Sequence, residues 1–117
     1  MKVIIAGGRD VTNYAYVEAA AKESGFDITE VVSGCARGAD TVGEQWATRN
    51  NVALKKFPAD WDNLGKKAGH VRNCQMGDYA DALIALWDGE SRGTKHMIDY
   101  ATKKGLKVFI YLVKEKV

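Results

Sequence analysis

Three glycine-rich segments carry side chains that could bind an anionic ligand. They read GGRD at residues 7–10, SGCARGAD at residues 33–40 and DGESRGT at residues 88–94. Each stands between an apolar run and a helical pattern, so each is expected to enter a helix N-terminus, where free N–H groups and the helix dipole favour an anion. Glycine lets the backbone approach a phosphate closely, and Arg37 or Arg92 could add a bidentate contact. Together the three segments predict a phosphate-binding site.

The same glycines have a simpler explanation, because turns between strands and helices need glycine whether or not a ligand binds. The phosphate-loop pattern GxxxxGK[ST] is absent, and Gly7 and Gly8 lack the spacing of the dinucleotide pattern GxGxxG. The two cysteines, Cys35 and Cys74, form no zinc-binding pattern with the histidines. No metal and no cofactor are therefore expected, and it is the combination of three segments that favours a binding site.

Five side chains in this region have both a structural and a ligand-binding interpretation. Asp10 and Asp40 each open a predicted helix, so N-capping is the default role and hydrogen bonding to a ribose hydroxyl is the alternative. For Asp40 the two roles have equal weight. Thr94 is first a predicted N-cap and second a phosphate ligand, and either Trp61 or Trp87 could stack on a base.

A later helical pattern adds Arg72 and Asn73, which are expected to reach the ligand region. His70 and His96 lie near helix starts without a neighbouring Ser or Cys nucleophile. They are therefore expected at the surface or in a second layer behind the residues that contact the ligand. No catalytic residue is assigned. The predicted ligand-binding set is Gly7, Gly8, Arg9, Asp10, Ser33, Gly34, Arg37, Gly38, Asp40, Arg72, Asn73, Trp87, Gly93 and Thr94.

Apolar runs and helical patterns alternate along the chain and provide the elements that must position these residues. Strands are predicted at residues 3–6, 30–32, 52–57, 82–87 and 107–113, and helices at residues 13–24, 40–50, 71–79 and 94–104, with residues 59–69 irregular. Such alternation predicts a Rossmann-like three-layer α/β/α fold with a five-stranded parallel sheet in the order 3-2-1-4-5. Ligands bind such sheets where the strand order reverses, beyond the carboxyl ends of the strands, so Gly7, Gly34 and Gly93 are expected to cluster there.

Length and composition narrow the class of protein. The 117 residues, 46% hydrophobic and 27% charged, predict a single folded domain over residues 1–117. A net charge of +2 is too small to indicate a nucleic-acid partner. The apolar run at the N-terminus is too short for a signal sequence or a membrane span, so a reduced, cytoplasmic protein without a membrane partner is expected.

The chain resembles the YspA-like branch of the SLOG superfamily, which is common in bacteria and phages. The segments that carry this resemblance are VIIAGGRD at residues 3–10, VSGCARGAD at 32–40, FPADW at 57–61, AGHVRN at 68–73 and WDGESRGT at 87–94. The resemblance implies a Rossmann-like fold and a nucleotide or nucleotide-derived ligand such as ADP-ribose. Relatives include cytokinin-activating phosphoribohydrolases, sensors of bacterial defence systems and a DNA-uptake protein. Because the phosphoribohydrolases are dimers, the resemblance also implies a homodimer.

One departure from the phosphoribohydrolases bears on activity. Those relatives carry a GGxGTxxE motif whose glutamate takes part in cleaving the glycosidic bond. Gly93 and Thr94 align with its GT, but Met97 stands at the glutamate position and cannot act as an acid or base. The leading hypothesis is therefore a sensor or sequestering module, and the alternatives are a nucleoside-monophosphate N-glycosidase and a single-stranded nucleic-acid binder.

Overall fold

The structure is a computed structural model and describes residues 1–113. Parallel strands alternate with helices along this part of the chain. The strands are β1 (Lys2–Gly7), β2 (Glu30–Ser33), β3 (Ala53–Lys56), β4 (Ala82–Trp87) and β5 (Lys107–Leu112). The helices are α1 (Tyr14–Ser24), α2 (Ala39–Arg49), α3 (Trp61–Leu64), α4 (Ala68–Tyr79) and α5 (Arg92–Lys103), with a 3₁₀ helix at Gly65–Lys67.

The five strands form one parallel sheet in the order β3-β2-β1-β4-β5, which confirms the predicted fold and strand order. In the register, Ile4 of β1 lies opposite Val32 of β2 on one side and Leu83 of β4 on the other. The order of the strands reverses between β1 and β4. Since all strands are parallel, the loops after β1, β2 and β4 leave the same edge of the sheet.

Two apolar clusters, one on each face of the sheet, hold the helices in place. Alternate residues of a strand point to opposite faces. Val3 and Ile5 of β1 belong to the cluster that includes α1 and α2 residues, whereas Ile4 and Ala6 belong to the cluster that includes α4 and α5 residues. The sheet is therefore the middle layer of three. No helix within residues 1–113 has the length and apolar character needed to cross a membrane.

The segment predicted as irregular, residues 59–69, contains α3 and the 3₁₀ helix instead. Asp60 caps α3, because its Oδ1 accepts the backbone N–H of Asn63 at 3.3 Å. Helix α4 then begins at Ala68, three residues before its predicted start. The prediction missed this turn because the cap is local while the surrounding residues have no apolar periodicity.

Candidate functional site

A cavity of about 880 Å³ lies at the carboxyl edge of the sheet, between the loops after β1, β2 and β4 and the N-terminal half of α4. Its volume falls in the range typical of small-molecule sites, about 300–1,000 Å³. Gly7, Gly34 and Gly93 all line it, so the three glycine-rich segments meet at one place. From the predicted ligand-binding set, the cavity is lined by Gly7, Gly8, Arg9, Asp10, Gly34, Arg37, Asp40, Arg72, Asn73, Gly93 and Thr94.

Three residues of the predicted set, Ser33, Gly38 and Trp87, do not line the cavity but shape its loops. The Ser33 hydroxyl donates to Glu44 Oε2 at 2.6 Å and accepts the Cys35 N–H at 3.1 Å. Gly38 has φ +81°, and a Cβ there would lie 2.5 Å from the carbonyl oxygen of Gly8, so only glycine lets the β2 loop pack against the β1 loop. Trp87 Nε1 donates to the carbonyl oxygen of Ser91 at 3.1 Å and holds the β4 loop.

Gly34 allows two charged groups to approach the β2 loop closely. A Cβ on Gly34 would lie 2.5 Å from Arg72 Nη1 and 2.9 Å from Asp40 Oδ2. The guanidinium of Arg72 uses this space to donate from Nη1 to the Gly34 carbonyl oxygen. Arg72, on α4, is thereby fixed to the loop that follows β2.

Asp40 is a buried carboxyl group on the cavity wall. Its side chain does not cap α2, because the helix begins at Ala39 behind Gly38; instead its Oδ2 accepts the Ala36 N–H at 3.0 Å. Burial leaves the residue 5% exposed. That burial raises the pKa of Asp40 from its ordinary value of 3.8 to about 6, although the Ala36 hydrogen bond and the nearby Arg72 oppose the increase. Asp40 can therefore exchange a proton near neutral pH.

The capping roles predicted for Asp10 and Thr94 are also wrong. Asn13 caps α1, its Oδ1 accepting the Ala15 N–H at 3.0 Å, and Asp10 stays exposed on the cavity rim. Ser91 caps α5, since its hydroxyl accepts the Thr94 N–H at 3.4 Å.

The residue after the cap, Arg92, is exposed and lies outside the cavity lining, so its predicted contact with a ligand finds no support in the geometry. Thr94 itself is buried and lines the cavity, and its Oγ1 lies 3.0 Å from Ser91 Oγ.

Asn73 connects α4 to the β4 loop and to α5. Its Oδ1 accepts a hydrogen bond from Arg72 Nε at 3.0 Å, and its Nδ2 donates to the carbonyl oxygen of Gly93 at 3.4 Å. The same Nδ2 lies 3.1 Å from His96 Nδ1. Because the amide nitrogen is only a donor, His96 Nδ1 must be an acceptor, which places the His96 proton on Nε2 and makes the ring neutral.

His70 and His96 form a stacked pair beside the cavity. Their ring centroids are 3.9 Å apart and their planes differ by 6°. His70 lines the cavity, a position that its place in the sequence pattern does not predict. Burial, and then the neighbouring His70, lower the pKa of His96, while Asp99 opposes this.

We expect His70→Ala to raise the pKa of His96, because the substitution both exposes the ring and removes a neighbouring positive charge. His70→Phe is the matched variant: it keeps a ring over His96 without a charge, so it should raise the pKa less. The chain has two histidines, so each variant leaves one imidazole signal, and an NMR pH titration reads it directly. An unchanged His96 titration in both variants would contradict the stacked arrangement.

Several lining residues outside the predicted set belong to the segment between β3 and α4 or to the first turn of α4. They are Pro58, Ala59, Trp61, Lys66 and Gly69. The signal that could have found them is the position of this segment after the carboxyl end of β3, at the same edge as the glycine-rich loops. Of the two tryptophans considered for stacking on a base, Trp61 lines the cavity and Trp87 does not.

Comparison with known proteins places the chain in a family. A model of the YspA, cpYpsA-related SLOG family matches residues 1–64, which contain β1 to α3 and two of the three glycine-rich segments. The chain belongs to this SLOG family. It is also 42% identical over 84 residues to the Gene 61 protein of Mycobacterium phage D29, covering 67% of each chain. Membership of the SLOG family suggests a nucleotide-related function, which agrees with the cavity at the strand ends.

Proposed function

We propose that this SLOG protein binds a nucleotide or a nucleotide-derived ligand such as ADP-ribose, and acts as a sensor or a sequestering module. The observation that carries the proposal is the convergence of three glycine-rich loops on one cavity of about 880 Å³. Self-association, which the resemblance to dimeric relatives implies, remains part of this proposal.

Two basic side chains of the cavity and a helix N-terminus suit a phosphate group. Arg9 and Arg37 line it, and within residues 1–113 neither forms an ion pair. The first turn of α5 contributes Gly93 and Thr94 to the wall, and the partial positive charge of a helix N-terminus favours an anion. Arg72 is held by the Gly34 carbonyl oxygen and Asn73, so its main part in this proposal is to fix the loops around the ligand.

The alternative function, cleavage of an N-glycosidic bond, has one observation in its favour. Asp40 is a carboxyl group on the cavity wall whose pKa is about 6, a value suited to proton transfer near neutral pH. Against it, the position of the phosphoribohydrolase glutamate is occupied by the buried, apolar Met97. We therefore favour binding without turnover.

A thermal-shift screen against nucleoside monophosphates, cyclic nucleotides and ADP-ribose tests the proposal. A ligand at a hundred times its Kd should add about 2.7 kcal/mol to the free energy of unfolding. Chromatography of the same mixtures detects released base. Steady release by the unmodified protein would replace the binding module with an enzyme, and the absence of any shift would contradict the proposal.

We expect Arg37→Ala to weaken binding of the best monophosphate by about 1.5–3 kcal/mol, the usual contribution of a hydrogen bond to a charged group, or roughly tenfold to hundredfold in Kd. Isothermal titration calorimetry measures the change. Arg49→Ala is the control with the same change in net charge, because Arg49 lies over the Tyr14 ring in the last turn of α2, outside the cavity. Equal effects of the two variants would mean that only net charge matters.

A further inference from the structure

Trp61 is a large apolar side chain that the fold leaves open beside the cavity. It is 53% exposed and lines the cavity. The other large hydrophobic residues that are exposed within residues 1–113, Ile110 and Leu112, lie on the edge strand β5 outside the cavity lining. A flat apolar group of a ligand can stack on an indole ring that is exposed within a site.

Local hydrogen bonds hold Trp61 in this position. Both carboxylate oxygens of Asp60 accept hydrogen bonds from Asn63 Nδ2, at 3.2 and 3.0 Å, in addition to the N–H bond that caps α3. The N–H of Gly65 donates to the Trp61 carbonyl oxygen and closes the turn. The short helix that carries Trp61 is thus fixed at both ends.

The ring edge of Trp61 lies against the start of α4. Its Cη2 is 3.5 Å from the point where a Cβ on Gly69 would sit, and Arg72 Nη2 is 3.8 Å from the same point. The indole and the guanidinium therefore both lie beside Gly69 at one wall of the cavity. An indole and a guanidinium are both groups on which nucleobases stack.

The other two tryptophans are engaged elsewhere. Trp87 donates from Nε1 to the Ser91 carbonyl oxygen and lies outside the cavity lining. Trp46 packs against the apolar cluster between the sheet and helices α1 and α2. Only Trp61, among the tryptophans, combines exposure with a place in the cavity.

Resting on the proposed function, we propose that Trp61 is the stacking surface for the heterocyclic base of the ligand, while the glycine-rich loops hold its phosphate. The ligand class is then a nucleotide with an intact base, and a sugar phosphate alone would leave the indole uncovered. Because every base has a π-face, stacking gives affinity with little selectivity among bases.

Calorimetric titrations with AMP, GMP, CMP, UMP and ribose 5-phosphate test this assignment. We expect Trp61→Ala to raise the Kd of the nucleotides by about 5- to 150-fold, the effect of losing one base–aromatic stack. The Kd of ribose 5-phosphate should stay unchanged. Trp61→Phe should recover most of the loss. Leu112→Ala is the control, because Leu112 is 60% exposed but outside the cavity.

A second measurement leaves Trp61 in place. In the Trp46→Phe/Trp87→Phe double variant, Trp61 is the only tryptophan left of the three in the chain. The nucleotides should quench its fluorescence, and ribose 5-phosphate should not. Equal weakening of nucleotides and ribose 5-phosphate by Trp61→Ala, or unquenched emission at saturation, would overturn the stacking role while the proposed function stands. Failure of the unmodified protein to bind the monophosphates, cyclic nucleotides and ADP-ribose would overturn both.

Discussion

Asp40→Asn is expected to stabilise the protein by about 3 kcal/mol at about pH 8 and to leave its stability nearly unchanged near pH 4. Burial raises the pKa of Asp40 from 3.8 in the unfolded chain to about 6 in the fold. Between these values the folded protein binds a proton that the unfolded chain has released, so stability falls as pH rises. Above pH 6 the full cost of the buried charge remains, and asparagine, which resembles the protonated acid, removes it.

Chemical denaturation of both proteins from acid to alkaline pH measures this difference. Asparagine can still accept the Ala36 N–H through its Oδ1, so the loop hydrogen bond is kept. Asp62→Asn, at an exposed position in α3, removes the same charge without burial and should change stability little. If Asp40→Asn is no more stable than the unmodified protein at pH 8, burial does not disfavour the charged form of the Asp40 carboxyl group.

If the proposed function holds, a buried carboxyl that lines the cavity is expected to trade stability for binding. Asp40 lies near the guanidinium of Arg72 at the Gly34 loop, where a ligand hydroxyl could accept or donate a hydrogen bond. The same Asp40→Asn variant should therefore bind the best nucleotide more weakly while it unfolds later. Higher stability together with lower affinity would indicate that Asp40 has a functional role. A loss of both would indicate a structural role.

The sheet could be predicted because its strands are continuous apolar runs. The run ALIALW at residues 82–87 is β4 as predicted, since both of its faces are covered and no polar alternation interrupts it. Alternation with helices and right-handed crossovers then leaves few strand orders, and the reversal between β1 and β4 places the glycine-rich loops together. The location of the site thus follows from local patterns and general rules of topology.

The roles of individual side chains could not be predicted in the same way. Asp40 precedes a helical pattern and therefore resembles an N-cap, but the positive φ of Gly38 starts α2 one residue earlier and turns the carboxylate back to Ala36. The stack of His70 on His96 joins two helices, α4 and α5, that are separated in the chain by β4. Neither a turn geometry nor a side-chain contact between two separate helices leaves a periodic signal in the sequence.

Met97→Glu is expected to destabilise the protein by about 3–5 kcal/mol at neutral pH, although it restores the carboxylate of the phosphoribohydrolase motif. Met97 is 1% exposed and belongs to the apolar cluster that includes Ile4 and Leu83. Its Cε lies 3.6 Å from the point where a Cβ on Gly77 would sit, so its end is packed against α4. A glutamate there would replace an apolar side chain of this cluster, and burial would raise its pKa.

The loss of stability should lessen as pH falls, because the introduced carboxyl takes up a proton more readily in the fold than in the unfolded chain. Met97→Gln separates polarity from charge, and Met97→Leu, which conserves volume, should cost less than about 1.5 kcal/mol. Denaturation at several pH values gives the free energies of unfolding, and chromatography of nucleotide mixtures gives base release, which we expect to stay absent. Because Met97 also lines the cavity, a stable, active Met97→Glu variant would mean that one residue separates binding from cleavage. Met97 is packed against α4 and within the apolar cluster as well as lining the cavity, so we expect a carboxylate at this position to cost stability whether or not it reaches a bound ligand.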